Sequence, residues 1–443
     1  MTTVGKIRDA RRGYGQVTWL YLLFALPFML ALPYFLNAQE QMLNDPSAML
    51  ASSEGDATKQ LALLLLYCVG AIILAVQFPP RALANLGLPL LLLLALCVAS
   101  TVWSVNPEGT LRRVVALLGT VAVGTLAGLS LDCVAFTRLQ THVVAIVLLG
   151  SLLIAAVEPS AGLDPEGRLR GVFFHKNYMG SFAAVALLTI GVRYTAGGGI
   201  GPKLLLGGLF LICILCLVLS QSAAPLPSLL GAVGAMGVAQ AARKSDGRFR
   251  ALLPFAIASA SLLISAFALS EGGAVLGRSD DLSGRTEVWD FALSMIGQRP
   301  LLGYGYDVFW LGANAPAAPF WKATMNVVAN AHNGYIQVAL DLGLGGLGLL
   351  FAALITVTAK VSVLLRRCDD PFLLWVVGYV VFLSVLSFGE AAIWSGNGMY
   401  TLLLVYVAVR TNVEYARCGT SALAVTQEAG ANPLKTDRRR FPQ

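Results

Sequence analysis

Apolar runs of roughly 18 or more residues, long enough to cross a bilayer as helices, recur along this chain between short polar joints. Read at helical period, they fall at 17–36, 61–78, 86–103, 111–130, 141–157, 179–195, 203–220, 224–241, 251–270, 334–364, 371–390 and 393–412. The pattern predicts an all-α polytopic integral membrane protein with about twelve transmembrane helices. Its expected organisation is an inner N-terminus over 1–16, helices over 17–270, a large external loop over 271–333, helices over 334–412 and a polar tail over 413–443. That tail ends in Arg438-Arg439-Arg440 and is expected to be a disordered cytoplasmic extension. Pro27, Pro33 and Pro89 are expected to kink their helices, which neighbouring helices tolerate.

Composition sharpens this picture. The chain is 57% hydrophobic and 12% charged, whereas soluble domains carry about 25% charged residues. The basic stretch Lys6–Arg12 before the first run resembles a signal peptide, but no small-residue cleavage site follows, so an uncleaved first helix is the better reading. The net charge of +7 invites a nucleic-acid function, but the basic residues are scattered between spans. Sorting of Lys and Arg to the cytoplasmic side explains them more simply: with the N-terminus inside, 21 of the 31 fall on the inner face. Seven cysteines form no disulfide framework, and Cys213-Ile-Leu-Cys216 reads as apolar packing despite its metal-like spacing.

The cations left outside carry information. Arg168, Arg170, Lys176, Arg278, Arg285, Arg299 and Lys322 all fall in two external joints, against the sorting rule. Arginine presents a planar fork of donors suited to phosphate, so anion binding is one reason for them. The other is pairing with Asp164, Glu166, Asp280, Asp281 and Glu287, the preferred reading for Arg168, Arg278 and Lys322. In the large loop, Ser283 is a plausible N-cap for an amphipathic helix from Arg285 to Arg299, stopped by Pro300. Its stripe of Val288, Trp289, Ala292, Met295 and Ile296 is expected to rest on the membrane surface, an anchor rather than a substrate contact. After the turn at Gly303-Tyr304-Gly305, Tyr304, Tyr306, Phe309, Trp310 and Trp321 fit either an interfacial belt or stacking on sugar rings.

These joints carry recognisable motifs. Arg170-Gly171-Val172-Phe173-Phe174-His175-Lys176-Asn177-Tyr178-Met179-Gly180 resembles a signature of the O-antigen ligase and Wzy-type polymerase superfamily, above all its ExoQ-type exopolysaccharide polymerases. Gly284–Trp289 with Pro300–Gly305 resembles a second signature, and Ala331–Tyr335 with Leu342–Gly346 a third. Trp103–Glu108 with Leu111-Arg112-Arg113 is a further family-like stretch. The resemblance covers most of residues 95–410, with the motifs in the expected order. One departure is Leu219–Pro225, where relatives often carry a basic or hydroxylated residue after the serine.

The resemblance implies a GT-C-like glycosyltransferase architecture and a metal-independent, cofactor-free, inverting transfer on the periplasmic side of a bacterial inner membrane. Donor and acceptor would be undecaprenyl-diphosphate-linked oligosaccharides in a setting of membrane lipids, with polysaccharide assembly and export proteins as possible partners and no nucleic acid. Breaking a sugar–diphosphate bond leaves negative charge for arginines to stabilise, and the attacking hydroxyl needs a base of near-neutral pKa. On this reading His332 is the base, with Arg285 and Arg170 as diphosphate clamps. Asn333 and Asn177 orient the neighbouring histidine or substrate hydroxyls, and His175 and Lys176 are second choices for phosphate contact. The bland alternatives are an N-terminal cap at Gly334 for His332 and a buried helix start for His175. Glu390 either supports an arginine or sugar hydroxyl, or is an exposed loop acid.

Two rivals remain. An O-antigen ligase, moving glycan to a lipid A–core acceptor, uses the same donor chemistry and the same motifs. A flippase or transporter would place charges near the midplane, where Asp341 is the main exception here, and would often show an inverted repeat, which is not visible. No nucleotide-binding motif occurs either, so the energy must come from an activated donor.

Overall fold

A computed structural model describes residues 18, 19, 21, 22 and 25, then 57–197, 199–243, 283–324, 327–368 and 370–431. Among them the architecture is all-helical, with one isolated antiparallel bridge between Leu163 and Leu169. The long helices are α1 (Ala57–Gln77), α2 (Leu88–Ala99), α3 (Pro107–Ser130), α4 (Cys133–Val157), α5 (Lys176–Thr195), α6 (Ile200–Ser220) and α7 (Pro225–Arg243). After the gap come α8 (Ser283–Gln298), the short α9 (Ala318–Thr324), α10 (Gly334–Arg367), α11 (Phe372–Leu386) and α12 (Met399–Ala431).

Ten of the twelve expected segments are helical here; 251–270 lies outside the described residues and 17–36 almost entirely so. Among the described residues, six helices are long and apolar enough to cross a bilayer. A turn over Pro80–Leu86 followed by Leu88–Val102, bent by 102°, makes a seventh if the pair counts as one span. Pro89 does not kink its helix. It sits in the first turn of α2, where a missing N–H costs no bond. The last helix runs on to Ala431, so the backbone over 413–431 is helical where the polar composition suggested disorder.

The helices pack as neighbours in pairs: α7 on α11, α5 on α6, α3 on both α1 and α12, and α10 on α2 and α12. Where α3 meets α12, a Cβ on Gly124 or Gly128 would come within 2.9 and 2.7 Å of the Val405 and Val409 side chains. Small residues four apart let helix backbones approach closely, which in a bilayer replaces hydrophobic driving force with van der Waals contact. The most enclosed helix is α11, with Trp375, Tyr379 and Phe382 wholly buried.

Helix α10 joins the bundle to the 283–333 region. Its 34 residues would reach ~50 Å, well beyond the ~30 Å hydrocarbon layer. It breaks at Gly343, whose φ of +67° is a left-handed value. The chain at 300–302 fills the break, with Leu344 N–H donating to the Pro300 carbonyl at 2.7 Å. A Cβ at Gly343 would sit 2.2 Å from the Leu301 carbonyl carbon, so only glycine fits. Before the break Leu340 packs with the residues of α8 and the following loops, while Val338 and Leu342 pack in the main helical core.

The loop region has its own core. Val288, Ala292, Tyr304, Phe309, Trp310, Trp321, Ala331 and Leu340 are buried together, with Trp289, Phe291, Met295 and Ile296 packed against them. The amphipathic stripe of α8 therefore faces protein, not the lipid surface expected for it. The aromatic residues are neither an interfacial belt nor a sugar platform: Tyr304, Tyr306, Phe309, Trp310 and Trp321 are all buried. The stretch around Trp103 joins this core through Trp103 Nε1 to the Leu302 carbonyl at 3.0 Å and Arg113 to Asp307 at 2.7 Å. Both thiols of Cys213 and Cys216 are buried in apolar packing, as expected.

Candidate active site

Four segments meet at the turn that follows α11. Ser387 ends that helix, and the chain then runs through Phe388-Gly389-Glu390 before re-entering the bundle. The Ser387 carbonyl accepts from Gly334 N–H at 2.7 Å, which ties the start of α10 to the turn. From α8, Arg285 donates Nη1 to the Gly389 carbonyl at 3.2 Å. From α5, Asn177 donates Nδ2 to Glu390 Oε1 at 2.6 Å, while its Oδ1 accepts from the Ser222 hydroxyl at 3.1 Å. Glu390 is thus neither a bare loop acid nor fully satisfied by one partner. Burial raises its pKa above the ordinary carboxylate value, and the Arg285 charge and the Asn177 amide pull it back.

His332 lies beside this turn. Its backbone is left-handed, with φ +49°, a conformation that costs a non-glycine residue roughly 1–2 kcal/mol and persists only where surroundings enforce it. Its N–H donates to Asn330 Oδ1 at 2.8 Å, and it is half-buried. It is not the cap of α10. That is Asn333, whose Oδ1 accepts from Tyr335 N–H at 3.0 Å and Ile336 N–H at 3.1 Å. The Oδ1 of Asn333 is therefore taken up by the helix start. One turn beyond Arg285 on α8, Trp289 donates its indole N–H to the Ala331 carbonyl at 2.9 Å. Positions four apart on a helix share a face, so the face carrying Arg285 also touches the residue preceding His332.

The other motif loop divides its residues between structure and site. Arg168 pairs with Asp164 at 2.5 Å and with Glu166, the local pairing expected for it. Arg170 donates Nε to the Ala161 carbonyl at 3.1 Å and Nη2 to the Ser160 carbonyl at 2.8 Å. Two of its donors thus secure the turn after α4, and the guanidinium bound at the Glu390 turn is that of Arg285. His175 is the N-cap of α5: its Nδ1 accepts from Asn177 N–H at 3.2 Å. Protein packed around the ring, and then the charges of Lys176 and Arg168, hold its pKa below the ordinary imidazole value. A neutral ring using Nδ1 as acceptor presents Nε2–H outward, a donor rather than a base. Lys176 is buried at the first turn of α5.

Some participants were invisible in the sequence. Ser222 sits in the Leu219–Pro225 departure, where the signal was the turn after Ser220. Gln337 and Asp341 read as spanning positions, yet both are buried in a polar network before the Gly343 break.

Comparison with known proteins agrees with the motifs. Residues 208–351 match the family model described as O-antigen ligase, a stretch that includes Arg285 and His332 but not Arg170, His175 or Glu390. The chain is also 28% identical over 350 residues to the exopolysaccharide production protein ExoQ of Rhizobium meliloti (strain 1021), which covers 76% of this chain and 79% of that one.

Proposed function

We propose that this chain, a relative of O-antigen ligases and of ExoQ, is a membrane glycosyltransferase that polymerises undecaprenyl-diphosphate-linked oligosaccharide units into exopolysaccharide on the periplasmic side of the inner membrane. The observation that carries the reading is the convergence of Arg285, Asn177 and the start of α10 on the turn at 387–390, beside a histidine in a strained backbone. In the reaction, an acceptor sugar hydroxyl attacks C1 of the donor glycan from the face opposite the diphosphate. The new C1–O bond forms as the C1–O–phosphate bond breaks, which inverts the anomeric centre. The hydroxyl proton passes to His332, and the lipid diphosphate leaves with the charge that the C1–O bond releases. Arg285 stabilises that charge with a fork of N–H donors in a site of lowered dielectric. Arg170 acts as a second clamp. Glu390 and Asn177 hold Arg285 and the acceptor in register, and His175 Nε2–H and Lys176 lie at the phosphate end.

The second reading is an O-antigen ligase, favoured by the description of the family match. A deletion strain separates the two. Short lipid-linked units accumulate if the chain is a polymerase; uncapped lipid A–core with intact long polymer appears if it is a ligase. Complementation with His332→Ala, Arg285→Ala and Arg170→Ala at matched membrane levels tests the residues. Normal product from His332→Ala would remove the base assignment.

A further inference from the structure

The residue that precedes His332, Ala331, is held at both its N–H and its carbonyl by residues outside the proposed chemistry. Gln337, one turn into α10, uses both ends of its carboxamide. Its Oε1 accepts from Trp310 Nε1 at 3.0 Å and from Ala331 N–H at 3.2 Å, while its Nε2 donates to Asp341 Oδ1 at 3.0 Å. Trp289 takes the other side of Ala331 through its carbonyl, at 2.9 Å. The Ala331 side chain is wholly buried, so this residue has no room to rotate. Two residues after His332, the Gly334 N–H is pinned at 2.7 Å by the Ser387 carbonyl. A left-handed non-glycine residue persists only where its neighbours over-determine it, and these bonds bracket His332 on both sides.

Asp341 has a defined part in this. A carboxamide can turn over and exchange its oxygen and nitrogen. Two donors, an indole N–H and a backbone N–H, face one end of Gln337, and a carboxylate acceptor faces the other. Only one orientation satisfies all three, so Asp341 sets the direction of the amide. Asp341 lies near the Arg113–Asp307 pair, which links this network to the stretch after α2.

We propose that Trp289, Gln337 and Asp341 are positioning residues for His332: by holding Ala331 at its N–H and its carbonyl they fix the left-handed turn and so the direction of the imidazole. The catalytic consequence rests on His332 being the base; the geometric claim does not. A displacement of about 1 Å at a reacting group can cost ~10²-fold in rate, so loosening Ala331 acts on turnover without touching substrate.

The test labels the full-length protein in lipid nanodiscs with diethyl pyrocarbonate and follows His332, His175 and His142 by mass spectrometry. It also measures glycan product in cells at matched membrane levels. Trp289→Phe keeps the ring and drops the N–H; Gln337→Met keeps the length and drops the amide. In each, the His332 labelling rate is expected to change about threefold or more against His175 and His142, with product falling ~10- to 100-fold. Because both variants release the same residue, Ala331, the double variant should be little worse than the more severe single one. Asp341→Asn keeps the acceptor and should stay within about twofold of the parent, whereas Asp341→Leu should match Gln337→Met. A fold defect would speed labelling of all three histidines together, and that pattern, or unchanged His332 labelling in every variant, overturns the proposal. Full product from His332→Ala would overturn the base reading alone, because the labelling ratios still decide the positioning.

Discussion

Two helix starts in this chain carry histidine and asparagine in different register, and they use them oppositely. At α5 the order is His175-Lys176-Asn177, and the histidine takes the cap position, giving its Nδ1 to the Asn177 N–H. Asn177, freed from capping, reaches across to Glu390 and Ser222. At α10 the order is His332-Asn333-Gly334, and Asn333 caps two N–H groups. His332 then stands outside the helix, in a left-handed backbone beside the same turn. A helix start leaves several N–H groups without intrahelical partners and recruits whichever side chain stands at the cap. The neighbour is left out of the cap. Similar residue types thus provide an amide contact in one place and an imidazole in the other.

The largest expected effect breaks this contrast outright. His332→Ala should reduce product formation by roughly 10²–10⁴-fold, the usual worth of a general base, while His175→Ala should cost less than about tenfold. Comparable losses at both positions, measured by product yield at matched membrane levels, would erase the distinction. Next in size, Arg285→Ala should cost ~10²–10³-fold, and Arg285→Lys should recover little, because an ammonium lacks the planar fork. Recovery by lysine would reduce Arg285 to a point charge.

A smaller effect sharpens the role of Asn177. Asn177→Ala and Glu390→Ala should each lower turnover, and a double-mutant cycle should return a coupling of about 0.5–3 kcal/mol. Additive losses would mean that the 2.6 Å contact between them has no functional weight. The smallest effect concerns the cap itself. His175→Ala should destabilise α5 by about 1 kcal/mol or less, and His175→Asn should restore it. Since the folded pKa of His175 lies below the ordinary imidazole value, its favourable contribution is complete above that ordinary value and is lost as pH falls through the lowered one. Thermal unfolding of the detergent-solubilised protein against pH should show this acid loss in the parent and not in His175→Asn.

Much of the frame was legible beforehand. Apolar runs marked the helices because a bilayer requires every backbone group to be bonded within its own segment. The Arg168 pairing with Asp164 and Glu166 was legible because all three lie within five residues. The fate of the aromatic residues was not. Tyr304 or Trp310 at a membrane surface, against a sugar or inside a core presents the same local sequence, and only the packing of α8 on α10 selects the core. Asp341 likewise read as a charge within a span, because the Gly343 break that sets it apart depends on residues 300–302 passing through.

By itself the sequence determined where most of the described helices lie and the motif-bearing joints between them, since each follows from periodicity and composition within one segment. Tertiary structure decided which guanidinium reaches the Glu390 turn, which asparagine caps a helix and which histidine stands outside one. Those outcomes depend on hydrogen bonds between residues as far apart as Asn177 and Glu390 or Arg285 and Gly389, and the local preference of a side chain contains no term for a partner that only folding delivers.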